Sequence, residues 1–242
     1  MSIQVNDNKT MNGEHTESQK TKKYTPVVSS KLRSRMISVP ESISEASGII
    51  ILGRRINSLI FTTDVAIIKN NNAQSVIAVY PFTPQLAINH AILEAASVPV
   101  FVGVGGGLTN GPRSAQIALQ AELMGAYGVV VNAPTDLETI AEIKKVVDVP
   151  IISTVVDERA NYLEKIEAGV SILNVSGAKK TAEIVSSIRK KVGPEFPIIA
   201  TGGPTDDTIR AAIKAGANAI TYTPPRAADI FSEIMDKYRQ NN

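Results

Sequence analysis

From Leu59 onward the chain alternates short, continuously apolar runs with stretches of helical periodicity, and it does so eight times. The runs occupy residues 59–62, 75–80, 100–104, 128–132, 151–155, 171–175, 198–201 and 219–223. A half-exposed strand would alternate apolar and polar side chains. Unbroken apolar runs suit parallel strands covered on both faces. Helical spacing between runs is clearest at Ile140, Ile143, Val146 and Val147.

The punctuation repeats as well. Proline leads into the third, fifth and seventh runs at Pro99, Pro150 and Pro197, and glycine precedes the fourth, sixth and eighth at Gly125, Gly169 and Gly216. Glycine suits the left-handed residue that ends a helix and turns the chain into a sheet. A module of two strands and two helices is therefore repeated, as in a barrel built of paired units. The fold class expected is α/β, a (β/α)8 TIM barrel over residues 58–242. The whole chain is 242 residues long, against about 250 for a typical barrel of this kind. Helix starts are expected at Thr83 with Pro84, at Thr135–Glu138 as a capping box, and at Thr205 ahead of Asp206 and Asp207.

Residues 1–30 stand apart, rich in Asn, Gln, Ser, Thr and Lys, with Ile3, Val5, Val27 and Val28 as their large aliphatics. So little apolar surface cannot offset the entropy of ordering, and a flexible tail is expected. It has neither the apolar core of a secretory signal nor the arginine-rich pattern of a transit peptide. Residues 31–57 are expected to close the bottom of the barrel, as a helix across its N-terminal mouth. The core of that segment, Gly48 to Leu52, reads equally well as a strand.

Composition excludes several kinds of function. Cysteine is absent, which removes disulfides, thiolate metal sites and thiol nucleophiles, and fits a cytoplasmic protein. A net charge of +2 with dispersed lysines and arginines leaves no footprint for nucleic acid. No apolar run approaches the roughly 18 residues of a membrane span. The expected partner is a small-molecule anionic substrate, and a homo-oligomer is compatible with the sequence.

In this fold the reacting groups come from strand C-termini and the loops after them. Neither histidine lies there: His15 falls in the tail, and His90 on the helix after Pro84, where it is expected to pack. No lysine lies within a strand run, which disfavours imine chemistry. What remains is carboxylates, amides, hydroxyls and glycine backbone. Asp64 after the first run and Asp157 with Glu158 after the fifth are candidate bases. They are also compatible with a divalent cation, although no metal site or cofactor is assigned. Helix capping accounts for Asp64 equally well. Asn132, Asn174 and Ser176 are candidates to orient a substrate, since buried amides must be paired. Gly105 and Gly106 after the third run, and Gly202 and Gly203 after the seventh, allow close approach of an anion to backbone amides. Thr221 and Thr223 can add hydroxyl donors.

The stretch Phe196-Pro-Ile-Ile-Ala-Thr-Gly-Gly203, followed by Thr208-Ile-Arg-Ala-Ala-Ile-Lys-Ala-Gly-Ala-Asn-Ala-Ile220, resembles the phosphate-binding barrels. These include ribulose-phosphate-type epimerases, keto-deoxy-phosphogluconate aldolase, thiazole synthase and the inosine-phosphate dehydrogenase group. The resemblance covers roughly the last quarter of the chain and implies phosphate binding at Gly202 and Gly203. The sequence departs from those families after the eighth run, where Thr221-Tyr-Thr-Pro-Pro225 replaces a second glycine pair. It also lacks their catalytic lysine and cysteine. Taken whole, Ser58-Leu-Ile-Phe-Thr-Thr-Asp-Val-Ala-Ile-Ile-Lys69 with Val79-Tyr-Pro-Phe-Thr-Pro84 is similar to a bacterial barrel family provisionally labelled hydrolases.

The leading expectation is an enzyme that acts on a small anionic, phosphorylated metabolite by proton-abstraction, lyase or isomerase chemistry, with Asp157 or Asp64 as base. One alternative is a hydrolase in which a carboxylate activates water. The other is a non-catalytic ligand-binding barrel, which is favoured if both aspartates are consumed by the local backbone and leave no titratable group in the pocket.

Overall fold

Eight largely apolar runs must bury both faces, and they do so by pairing edge to edge into a closed cylinder. The computed structural model describes residues 26–28 and 30–240. Its barrel strands are β1 (Ser58–Phe61), β2 (Ser75–Ala78), β3 (Val100–Gly105), β4 (Gly128–Val131), β5 (Ile151–Val155), β6 (Ile172–Val175), β7 (Ile198–Thr201) and β8 (Ala219–Tyr222). Each pairs in parallel with the next, and β8 pairs with β1 to close the ring. The helices are α1 (Val65–Lys69), α2 (Leu86–Ala95), α3 (Gly111–Leu123), α4 (Leu137–Val146), α5 (Tyr162–Glu167), α6 (Thr181–Val192), α7 (Asp206–Lys214) and α8 (Ala227–Gln240).

Side chains alternate across the wall. Leu59, Ile77, Phe101, Val130, Ile152, Ile172, Ile199 and Ala219 fill the barrel's interior. Their neighbours, among them Ile60, Val76, Val102, Val129, Ile151, Leu173, Ala200 and Ile220, face the helices. The three glycine signals mark three Schellman motifs. Gly125, Gly169 and Gly216 have φ of 95°, 125° and 109°. In each, the glycine N–H and the next N–H reach back to carbonyls of the final helical turn, as in Gly125 to Glu122 and Ala126 to Ala121.

Several local expectations are corrected. The segment before the barrel forms no closing helix. A 3-10 turn, Glu41–Glu45, is followed by an antiparallel ribbon, Ile49–Ile51 with Arg54–Ile56. Ile49, Ile51 and Ile56 join the interior cluster at the N-terminal end of the strands. Two apolar residues from the first ribbon strand and one from the second form that plug. The chain forms one compact unit from Arg35 onward. Of Met1–Ser34, the described part contains a 3-10 turn at Lys31–Arg33 with exposed Val27, Val28 and Leu32. Most of the expected tail, residues 1–25 and 29, lies outside the described residues.

Two caps are displaced. Gln85, not Thr83, precedes α2, and Asp136, not Thr135, caps α4 by accepting from the Thr139 N–H at 2.7 Å. Thr205 caps α7 as expected, in a reciprocal capping box with Thr208. His90 does not pack: it is exposed beside Glu94, and its neighbour Asn89 takes the buried position. Among the described residues no helix is long and apolar enough to cross a membrane.

Candidate functional site

At the C-terminal mouth the inward positions continue the alternation one layer above the apolar interior. A strand period of two places Phe61, Val79, Asn132, Thr154, Asn174, Thr201 and Thr221 in register above that layer. They line an axial cavity of about 200 Å³, with Ser176 and Thr223 at its edge. The lining is split by chemistry. β1 and β2 contribute Phe61, Ile77 and Val79, while β4 to β8 contribute amides and hydroxyls. No charged side chain lines this cavity.

Two groups in it are conspicuous. Asn174 is 8% exposed and Thr221 3%, yet Asn174 Oδ1 and Thr221 Oγ meet no hydrogen-bonding partner. A buried polar atom left unpaired costs free energy and needs an explanation, and a ligand is one. A second cavity of about 240 Å³ opens beside the first, under the loops after β2 and β3, where Tyr80, Phe82, Thr83 and Thr109 face Gly105 to Gly107. Val79 and Asn132 line both, so the two spaces are contiguous.

The carboxylates lie apart from this chemistry. Asp64 caps α1, its Oδ1 accepting from the Ala66 and Ile67 N–H groups at 2.8 and 3.2 Å. Asp157 is held by Arg159, whose side chain spans both carboxylate oxygens at 3.0 and 3.1 Å and whose N–H donates at 2.8 Å. The guanidinium hydrogen bonds and that N–H draw the Asp157 carboxyl down to about 2. Neither aspartate, nor Glu158, lines the axial cavity. Among the described residues no three His, Asp or Glu groups come together as a metal site. Lys165 on α5, the one buried lysine among the described residues, donates to the Ala133 carbonyl at 2.6 Å, and burial lowers its pKa.

The glycines are shaped by packing. A Cβ on Gly105 would strike Ser114 and the Thr109 carbonyl, and one on Gly106 would strike Asn132 and Thr135. The Gly106 N–H donates to the Thr109 carbonyl and the Gly202 N–H to the Thr221 carbonyl. Ile220 and Ile209 fill the space a Gly202 side chain would need. Gly203 is exposed with φ of +76° and stands before the first turn of α7, where a Cβ would fall 2.7 Å from the Thr208 hydroxyl.

The structure thus brings Asn132, Asn174, Ser176, Thr221 and Thr223 together, and leaves Asp64, Asp157 and Glu158 outside the axial cavity. Thr154 was missed as a site residue. Its signal was a hydroxyl two positions beyond the interior Ile152, in a run that also carries Ser153.

No family model and no curated protein sequence matches the chain. Its fold resembles those of several solved structures. One is phosphonopyruvate hydrolase in complex with oxalate and Mg2+, at 15% identity and a TM-score of 0.60, covering 77% of this chain and 83% of that one. Another is 4-hydroxy-tetrahydrodipicolinate synthase from Methylacidiphilum fumariolicum, at 14% identity and 0.56, covering 70% and 68%. A third is an aldolase, at 17% identity and 0.52, covering 69% and 89%. At such identities the likeness is one of fold, the (β/α)8 barrel.

Proposed function

We propose that this barrel is an enzyme of small-molecule metabolism whose ligand occupies the axial cavity and reaches the rim at β7 and β8. The reading is carried by the ring of inward amides and hydroxyls on β4 to β8, two of which hold buried atoms with no partner in the protein. An anionic group of the ligand is assigned to the rim beside Gly203, where the amides of Asp206 and Asp207 begin α7 without intrahelical partners and Thr223 is exposed. Lyase or isomerase chemistry is the class proposed. It accords with the activities named for the aldolase and the dipicolinate-pathway synthase of the same fold, by analogy of fold alone. Asp157 is engaged by Arg159 and neither Asp157 nor Asp64 lines the axial cavity, so a base role for either requires loop movement on ligand binding.

A second reading is favoured by one observation: the axial cavity contains no carboxylate, imidazole, ammonium or guanidinium. A binding barrel without turnover needs none. The hydrolase alternative is weaker, because among the described residues no carboxylate lines the axial cavity to activate a water there.

A thermal-shift screen of small metabolites tests the site, since a ligand at about a hundred times its Kd adds roughly 2.7 kcal/mol of stability. Hits should lose affinity in Gly203→Asp when they carry phosphate, and incubation followed by mass analysis separates an enzyme from a binder. If phosphorylated hits bind Gly203→Asp as well as wild type, the rim assignment fails.

A further inference from the structure

We propose that the axial cavity recognises an uncharged, hydroxyl-bearing carbon chain or ring, of the polyol or sugar type, and not the carboxylate or phosphate of its ligand. The inference rests on the reading of the mouth as the ligand site and specifies what the deep part of that site takes. Asn174 Oδ1 is an acceptor, it is buried, and nothing in the protein donates to it. An ionised carboxylate or a fully ionised phosphate has only acceptors, so it could take hydrogen bonds from the amide N–H groups and hydroxyls of the wall but would leave Asn174 Oδ1 without a donor. Placing either there would also strip water from a full charge in a cavity lined by no opposite charge. An ammonium group would donate to Asn174, but the same cavity offers no carboxylate to pair with it.

A hydroxyl meets every condition. It donates to Asn174 Oδ1, and it accepts from or donates to Thr221 Oγ, the other unpartnered atom. The Asn132 amide and the Thr154 and Thr201 hydroxyls extend the same arc around the wall, enough for several hydroxyls on consecutive carbons. Opposite them stand Phe61 and Val79, which suit the C–H face that such a chain or ring presents on its other side. The charged end of the ligand is then left to the rim.

The test uses the full chain and two sets of probes: xylitol, erythritol and ribose as neutral polyols, and oxalate and inorganic phosphate as anions. Calorimetric titration and thermal shift are read on the wild type, Asn174→Leu, Thr221→Val and Gly203→Asp, with circular dichroism to verify the fold. At least one polyol should bind the wild type and weaken tenfold or more in both Asn174→Leu and Thr221→Val. Any phosphate binding should be insensitive to those two substitutions and sensitive to Gly203→Asp. If oxalate or phosphate weakens tenfold in Asn174→Leu while no polyol binds, an anion occupies the axial cavity. The inference then falls, and the mouth stands as the ligand site. Binding of no probe, or binding that none of the three substitutions alters, overturns both. Thr221→Val changes shape least, so it decides the matter if Asn174→Leu does not fold.

Discussion

The polar atoms at the mouth carry a cost in the ligand-free protein. Thr221 is buried with its hydroxyl unpaired, and replacing that hydroxyl by the methyl of valine removes the desolvation penalty at nearly constant shape. Thr221→Val is therefore expected to stabilise the unliganded barrel by about 1 kcal/mol in urea unfolding, while weakening ligand binding. A loss of stability would mean that the hydroxyl has a partner after all. Asp157 gives a pH prediction. Its folded-state carboxyl is depressed to about 2 by Arg159, below the roughly 3.9 of an unfolded aspartate. The pair's contribution is thus complete above about pH 4 and lost as the pH falls through about 2. By carboxyl-detected NMR the wild-type midpoint should lie near 2, and Arg159→Ala should raise it toward 4. The type of residue at these positions was legible in the sequence: an aspartate after a strand reads as either a base or a cap. Its partner was not, because the Arg159 side chain folding back onto Asp157 is a rotamer choice made in three dimensions.

At the scale of elements, the Schellman glycines were legible because a single backbone conformation dictates them. Their neighbours were not. A Cβ at Gly125 meets nothing, whereas one at Gly169 falls 2.8 Å from the Lys144 side chain. Gly125→Ala should cost about 1–2 kcal/mol, the price of a left-handed alanine. Gly169→Ala should cost more, since Lys144 must also move. Equal losses in thermal unfolding would show that Lys144 yields freely. The cap before α4 shows why boundaries slip. Thr135 and Asp136 are both good caps, and it is the burial of Thr135 against Gly106, on a separate loop, that leaves Asp136 to cap the helix.

At the scale of the molecule, the segment 37–47 belongs to the barrel wall. Ile37 exchanges backbone hydrogen bonds with Asn70 and Asn72 after α1. Ser42 donates to Asp206, and Glu45 pairs with Arg210 on α7. Ile43 and Ala46 are buried in the outer core, while α8 has no fully buried side chain and packs on that core through the half-buried Ala227 and Ile230. Ile43→Ala is therefore expected to cost about 2–5 kcal/mol, as a core truncation does. Phe231→Ala on α8 should change stability by no more than about 0.5 kcal/mol. Unfolding titrations of the two variants check both values. The sequence by itself determined the eight strands and their parallel order, and it pointed to the mouth at which the proposed site lies. Those follow from local periodicity, from glycine and proline conformations, and from the rule that doubly covered strands are apolar throughout. Only the tertiary structure decided that a ribbon plugs the bottom, that a strap covers the wall beside α7, and that the site's inward ring is neutral. These depend on which side chains meet across the closed barrel, between residues as far apart as Asn132 and Thr221, and no local pattern encodes such a meeting.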